Sequence, residues 1–523
     1  MVAKAKHTLL KSKPNIVWIV ADQLTPLLTG VYGHPIVQTP NLNRLASTGV
    51  RFDAAYSPCP VCAPARASML TGKFVSNIGV YDNAAPFRAD EPTIAHYLTM
   101  AGFDTALSGK MHFIGPDQLH GFRARFTLNL YAADFAWVPK RGLQPEDSAQ
   151  VEYTGPTGHA FNYLGEAVKV GKWSQFLSFD EETHFRALEY LHAQGLEREN
   201  AGNKDQDPQP FFLCVSYTHP HEPFWPPKKY WDIYEDAEIE IPEFPKNLEE
   251  TYSTLDKWLN EYHSVDKPKT LRDPKSMKRV RRAYYALVSY IDHKVGELLD
   301  SIDANGLAEN TIVIFTSDHG DMLLERGMVQ KRTFYEMSSR VPLIISHPKL
   351  NSVKAVNNKP VNLIDIVPTL LDFAGVDPEE RLPMDGQSLL PIMTGDEESE
   401  RVVFSEYHSQ GSHAPCFMVR QGQYKYVYIH GFDSQLFDLE NDPSEWRNLS
   451  GQPAYHELEE VLRAKVLDQF DPEWIERDVM DGIRKRELIK QAMGKTHQSW
   501  DFQPYFDSRK NLMDQYLADK NSK

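Results

Sequence analysis

Short apolar runs that stop abruptly at polar residues punctuate the chain: "NIVWIV" before Ala21-Asp22-Gln23, "FFLCVSYTH" ending at His219, and "TIVIFTS" before Asp318-His319. Continuous β-branched and aromatic runs of this kind predict strands buried on both faces. Helical patterns lie between them. "TPNLNRLASTG" has Pro40 near its start and Gly49 at its end, the order that helix termini favour. A longer pattern after Met277 keeps Val280, Tyr284, Leu287, Ile291, Val295, Leu298 and Ile302 on one face until "DANG" closes it. Strand and helix alternating in this way predict a layered α/β domain with ligands outside the carboxyl ends of its strands. Each polar cluster just quoted falls at such an end. The Pro-rich and charged stretches at roughly 140–210 and 222–275 read as long loops and short helices walling the site.

Beyond about residue 395 the texture changes to "RVVFSEY", "CFMVRQGQYKYVYIHG" and "QLFDLENDPSEWRNLS", short strand-like runs separated by turn residues, and then the helical "AYHELEEVLRAKVLDQF". The expected organisation is an α/β domain over 1–395, a smaller α+β domain with an antiparallel sheet over 396–474, and a basic, aromatic tail over 475–523. That tail is too polar to form a core alone and is expected to pack on a neighbour.

Composition narrows the class. With 523 residues, 41% hydrophobic and 24% charged, the chain is long enough for a large core and belongs among globular proteins. A net charge of -16 argues against general binding to nucleic acid or acidic membranes. Any positive charge for an anionic substrate must therefore be local. The first residues carry only a short apolar run, broken by Asp22, which supports neither a signal peptide nor a membrane span. Four cysteines, Cys59, Cys62, Cys214 and Cys416, are too few for a disulfide scaffold and fit a reducing compartment, so a cytoplasmic location is expected.

Candidate chemistry centres on "SPCPVCAPARASMLTG". Pro64 suits the first turn of a helix, which places Cys62 at its amino end, where an anion is favoured, with Arg66 four residues on. A thiol there has a lowered pKa and can act as a nucleophile. Taken alone, Cys62 also reads as a buried structural cysteine. A redox Cys59-X-X-Cys62 pair lacks the βαβ context it needs. Asp22 and Gln23 at one strand end, and Asp318 and His319 at another, offer two carboxylates, an amide oxygen and an imidazole. These donors suit Ca²⁺, Mg²⁺ or Mn²⁺ better than a thiolate zinc site. Lys110 and His112 in "ALSGKMHF", His219 and His221 in "SYTHPHEPF", and Lys331 in "MVQKRTFYE" supply the donors that a tetrahedral anion requires. His221 reads as standing behind the contacting set.

The order of these pieces resembles the sulfatase family of the alkaline-phosphatase-like superfamily. Cys62-Ala-Pro-Ala-Arg66, with Leu70-Thr71-Gly72 behind it, is similar to the family's Cys-X-Pro-X-Arg signature, and the likeness runs from "KPNIVWIVADQ" to "DLENDPSEWRNL". "GVYDNAA", "ALSGKMHFIGPDQLHGF", "YAADFAW" and "SYTHPHEPF" are similar to the choline sulfatase branch. The resemblance implies the superfamily's fold, a central mostly parallel sheet between helices with a smaller antiparallel sheet behind it. It also implies that a formylglycine-generating enzyme oxidises Cys62 to formylglycine, and that Asp22, Gln23, Asp318, His319 and modified Cys62 hold one divalent cation, calcium first. Arg66 and Lys110 would hold the formylglycine hydrate, Asp318 and His112 would take its protons, and His219 and Lys331 would serve the leaving alkoxide. For choline sulfate it implies Asn83 near the sulfate, with Trp137 and a tail carboxylate, Asp519, around the quaternary ammonium. A homo-oligomer with tail exchange is implied as well.

Other sulfate esters, such as sulfated sugars or aryl sulfates, remain alternatives. So do a phosphonate monoester or phosphodiester hydrolase and, from a different class, a sulfate-binding protein that keeps a plain Cys62. The proton-transfer residues argue against the last, because a binder has no use for them.

Overall fold

The computed structural model describes residues 13–139, 159–202, 207–348, 355–395 and 400–496. The apolar runs form strands as expected: β1 Asn15–Asp22, β2 Gly49–Tyr56, β3 Asp104–Gly109, β4 Ala124–Arg125, β5 Phe211–Pro220, β6 Thr311–Ser317, β7 Arg340–Ser346, β8 Ala355–Asn357 and β9 Val361–Asn362. They make one sheet in the order β4-β3-β5-β1-β6-β7-β2-β8, with β9 also on β2. Pairing is parallel except where β7 meets β6 and β2.

Both faces of the sheet are covered, which is why its central strands are apolar throughout. Along β1, Val17, Ile19 and Ala21 enter one core, whereas Ile16, Trp18 and Val20 enter the other. The first core is closed by the helices Gln175–Gly202 and Pro274–Ala304. The second is closed by Cys62–Thr71, Ile94–Met100 and Ile366–Ala374. Each fully buried Ile or Leu contributes about 1.5–3 kcal/mol.

Helix Gln175–Gly202, 28 residues long, corrects the expectation of loops and short helices over 140–210. Its buried positions, among them Leu177, Asp180, Thr183, His184, Ala187, Tyr190, Leu191 and Gln194, recur every three or four residues. Half of them are polar, and that hides the stripe. Residues 140–158 lie outside the described residues.

A second sheet, β10 Val402–Tyr407, β11 Cys416–Gln421, β12 Tyr424–Ile429 and β13 Gln435–Asp438, is an antiparallel meander. Helix His456–Gln469 buries Leu462 and Val466. Lys425 of β12 is fully buried and donates to Phe334 O at 2.7 Å and Glu336 Oε1 at 3.0 Å. It thus ties this sheet to the segment that carries Lys331. The first part of the expected tail is the helix Pro472–Thr496. No described helix is long and apolar enough to cross a membrane.

Candidate catalytic and metal site

Four neighbouring strands, β3, β5, β1 and β6, end on the same side, and the chemistry leaves from those ends. Asp22 closes β1, Lys110 follows β3, His221 follows β5, and Asp318 and His319 follow β6. Gly109 makes the turn into Lys110: a Cβ there would meet Ser216 O of β5 at 1.9 Å, and its φ of +109° favours glycine. Cys62 is the first residue of its helix, which ends at Gly72 with φ 71°.

Arg66 organises the floor. Its guanidinium is fully buried and donates Nε to Asp318 Oδ2 at 2.8 Å, Nη2 to Asp22 Oδ2 at 2.8 Å, and Nη1 to Lys110 O at 2.6 Å and Ser216 Oγ at 2.7 Å. Lys110 Nζ lies 2.5 Å from the same Asp22 oxygen. Burial and the Cys62 charge push the Asp22 carboxyl up, but Lys110 and Arg66 outweigh them and hold it well below the usual carboxylate range. For Asp318, burial wins over Arg66, and its pKa is raised.

Asp22, Cys62, Asp318 and His319 present ligand atoms that all lie within 4.8 Å of one another. Asp22 Oδ1 is buried and makes no hydrogen bond. His319 Nδ1–H donates to Gly320 O at 2.9 Å, so the Nε2 lone pair faces Cys62 Sγ at 3.2 Å. Gln23 is turned by its amide: Nε2 donates to Asp321 Oδ2 at 2.7 Å and Glu222 Oε2 at 2.9 Å, while Oε1 accepts Lys331 Nζ at 2.5 Å. Lys331 Nζ also reaches Cys62 Sγ at 3.3 Å. Two carboxylates and an imidazole lone pair beside Cys62 Sγ fit a divalent cation, while the Gln23 amide oxygen adjoins the cluster through Lys331.

Burial alone would raise the Cys62 thiol, but Lys110, Lys331 and His319 hold it well below its ordinary value. Two further histidines beside it diverge. Burial pushes His112 down to about 4, so it is a neutral base at working pH. His221 is raised, because Glu222 overcomes its burial; its Nδ1–H donates to Glu222 O at 2.7 Å, leaving Nε2 as the acidic end. Such a divergence separates a base from an acid.

A cavity of ≈ 350 Å³ opens over Cys62, and Asn83, His112, His221 and Lys331 line it. Trp137, Tyr131 and Phe176 form an aromatic side, with Tyr131 stacked on His112 at 4.7 Å and Trp137 edge-on to His112 at 5.7 Å. His159, Asn162, Gln330, Arg332 and Gln410 complete a polar side. Four residues of this region, Gln23, His112, Gln330 and Arg332, have φ between 60° and 81°, at about 1 kcal/mol or more each for a side chain with a Cβ.

The structure therefore brings together Asp22, Gln23, Cys62, Arg66, Lys110, His112, Asp318, His319 and Lys331, and sets Asn83 and Trp137 on the cavity. His219 does not line this cavity. Asp180, on helix Gln175–Gly202, accepts its backbone N–H at 3.0 Å and its ring Nδ1–H at 2.6 Å, and His221 lines the cavity in its place. Asp519 lies outside the described residues. Phe176 and Gln410 have no local motif that marks them, and Tyr131 and Arg332 lie in quoted stretches, "YAADFAW" and "MVQKRTFYE", from which only Trp137 and Lys331 stand out.

Residues 14–376 match the family profile described as Sulfatase, and residues 324–471 that described as N-sulphoglucosamine sulphohydrolase, C-terminal. The chain is 38% identical to a choline-sulfatase of Rhizobium meliloti, over 97% of this chain and 96% of that protein. It is 30% identical to an arylsulfatase of Clostridium perfringens, over 88% and 95%. The solved phosphonate monoester hydrolase of Agrobacterium radiobacter shares the fold, with a TM-score of 0.67 at 23% identity, over 87% of this chain and 95% of that one.

Proposed function

The chain belongs to the sulfatase family, and we propose that it hydrolyses a sulfate monoester to an alcohol and inorganic sulfate with residue 62 converted to formylglycine, choline sulfate being the lead substrate. The observation that carries this reading is the placement of Cys62 at a buried helix start, among three other potential cation ligands, Asp22, Asp318 and His319, and two lysines. In this reading a formylglycine-generating enzyme prepares residue 62, and the working protein is a homo-oligomer in the cytoplasm.

Formylglycine supplies a geminal diol, one hydroxyl of which attacks sulfur while the second lets the sulfated adduct break down, a reaction split that a thiol cannot complete. Asp22, Gln23, Asp318 and His319 would hold the cation, calcium first and magnesium or manganese as alternatives, which supplies Lewis-acid polarisation and a template. Arg66 fixes Asp22 and Asp318, and Lys110 neutralises Asp22. Asp318 is the proton acceptor for attack. His221 gives a proton to the leaving alkoxide, Lys331 stabilises its charge, and neutral His112 takes the proton that releases sulfate.

Support for choline sulfate comes from the aromatic side of Trp137, Tyr131 and Phe176, which suits a quaternary ammonium, and from the relative named choline-sulfatase. The deciding experiment compares turnover of choline sulfate, an aryl sulfate, sulfated sugars and a phosphonate monoester by protein made with the modifying enzyme. A preference for choline sulfate is expected. A preference for the phosphonate overturns the sulfatase substrate, and active protein whose residue 62 is entirely thiol by mass spectrometry overturns the mechanism.

A further inference from the structure

Helix Pro472–Thr496 touches the large layer at polar points on one of its faces. Asp478 Oδ2 accepts Tyr81 OH at 2.9 Å, Arg486 donates to Asp82, and Lys490 Nζ donates to Ala136 O at 2.9 Å. Positions four and eight apart share a helix face. These contacts fall beside Asn83 and Trp137, the two cavity residues assigned to the substrate.

The central contact is a bidentate ion pair. Arg486 Nη1 reaches Asp82 Oδ1 at 2.5 Å and Nη2 reaches Oδ2 at 2.9 Å, with the Arg486 side chain 5% exposed and that of Asp82 0%. Asp82 also accepts Ala84 N–H at 2.9 Å and Ser409 Oγ–H at 3.2 Å. Its next neighbour in the chain, Asn83, accepts the N–H of Ala63 on Oδ1 at 2.9 Å, one residue past Cys62, and donates its own N–H to Gln410 Oε1 at 3.3 Å. One guanidinium therefore fixes the short turn that joins the start of the Cys62 helix, the cavity-lining Asn83 and the cavity residue Gln410.

We propose that helix Pro472–Thr496 braces the catalytic cavity and that Arg486 is a positioning residue, acting through Asp82 to hold Asn83 against the first turn of the Cys62 helix. The inference rests on the reading of this cavity as the catalytic site. Removing the guanidinium leaves a buried carboxylate with one hydroxyl and one amide, and a buried charge so deprived drives local rearrangement. Small misplacements beside reacting groups are costly, and Asn83 is the residue that moves.

The test uses the full chain with residue 62 modified. Arg486→Ala raises KM for the sulfate ester by about tenfold with a smaller fall in kcat, Arg486→Lys restores part of the loss, and Arg484→Ala, on an exposed side of the same helix, changes neither. Hydrogen exchange at residues 79–85 and at the Ala63 amide quickens in Arg486→Ala while exchange in β1 and β6 holds. If the unsubstituted protein turns over no sulfate ester, the functional reading fails, yet exchange still decides the brace. Should Arg486→Ala not fold, Arg486→Lys and Asp82→Asn carry the same two readouts. Unchanged exchange at 79–85, exchange that quickens throughout the chain, or an unchanged KM with only a lower melting temperature overturns the proposal.

Discussion

The floor and the wall of the cavity are built by opposite means. Floor groups leave from the ends of adjacent strands or from the Cys62 helix and are buried, and Arg66 is held by four hydrogen bonds. Wall groups such as Tyr131, Trp137, Phe176, Arg332 and Gln410 come from connections or element ends far apart in sequence, and Trp137 is 37% exposed. The sheet thus fixes which bond is broken, and the connections select the molecule that carries it.

Substitutions separate the two regions by size of effect. Cys62→Ala is expected to abolish turnover, a loss on the order of 10⁴-fold or more, with the melting temperature little changed; measurable activity in that variant breaks the contrast at its root. Next come the two histidines of "THPH". His221→Asn lowers kcat by about 10²–10⁴-fold, and more for an alkyl sulfate than for an aryl sulfate, whose leaving group needs less protonation. His219→Asn acts instead on folding, through the Asp180 contacts, and a leaving-group dependence in that variant rather than in His221→Asn reverses the assignment.

On the wall, Trp137→Ala raises KM for choline sulfate by about tenfold, the scale of one cation–π contact, while leaving kcat and the KM for an aryl sulfate nearly as they were. Equal effects on both esters remove Trp137 from cation recognition. The smallest effect belongs to neither region. His120 stacks on Phe87 at 4.1 Å, and burial pushes its pKa down to about 4. The folded ring stays neutral while the unfolded chain takes a proton near the ordinary value of about 6.5, so stability is lost as pH falls from about 6.5 toward about 4. His120→Phe is expected to flatten the fall in melting temperature over that range; the same slope in both proteins sets His120 aside.

The floor was legible where a group follows an apolar run, because there position along the chain and position in the sheet coincide. Asp22, Asp318 and His319 are readable this way, and Cys62 and Arg66 through the turn chemistry of Pro64. The choice between His219 and His221 was not readable. It depends on Asp180, a partner in a helix whose buried face alternates Leu177 and Ala187 with Asp180, Thr183 and His184. Apolar periodicity is blind to such a face. The wall was less legible still, since Arg332 and Gln330 reach the cavity with left-handed backbones that no propensity of Arg or Gln foretells.

Asp82 and Arg486 stand 404 residues apart. At about 5–20 residues per second, a ribosome delivers Arg486 roughly 20–80 s after Asp82. During that interval the turn holding Asn83 lacks its guanidinium, and the nascent chain can lay down β1 to β7 with the cavity unfinished. Assembly order thus leaves the pocket open until a helix that follows both sheets in the chain has emerged.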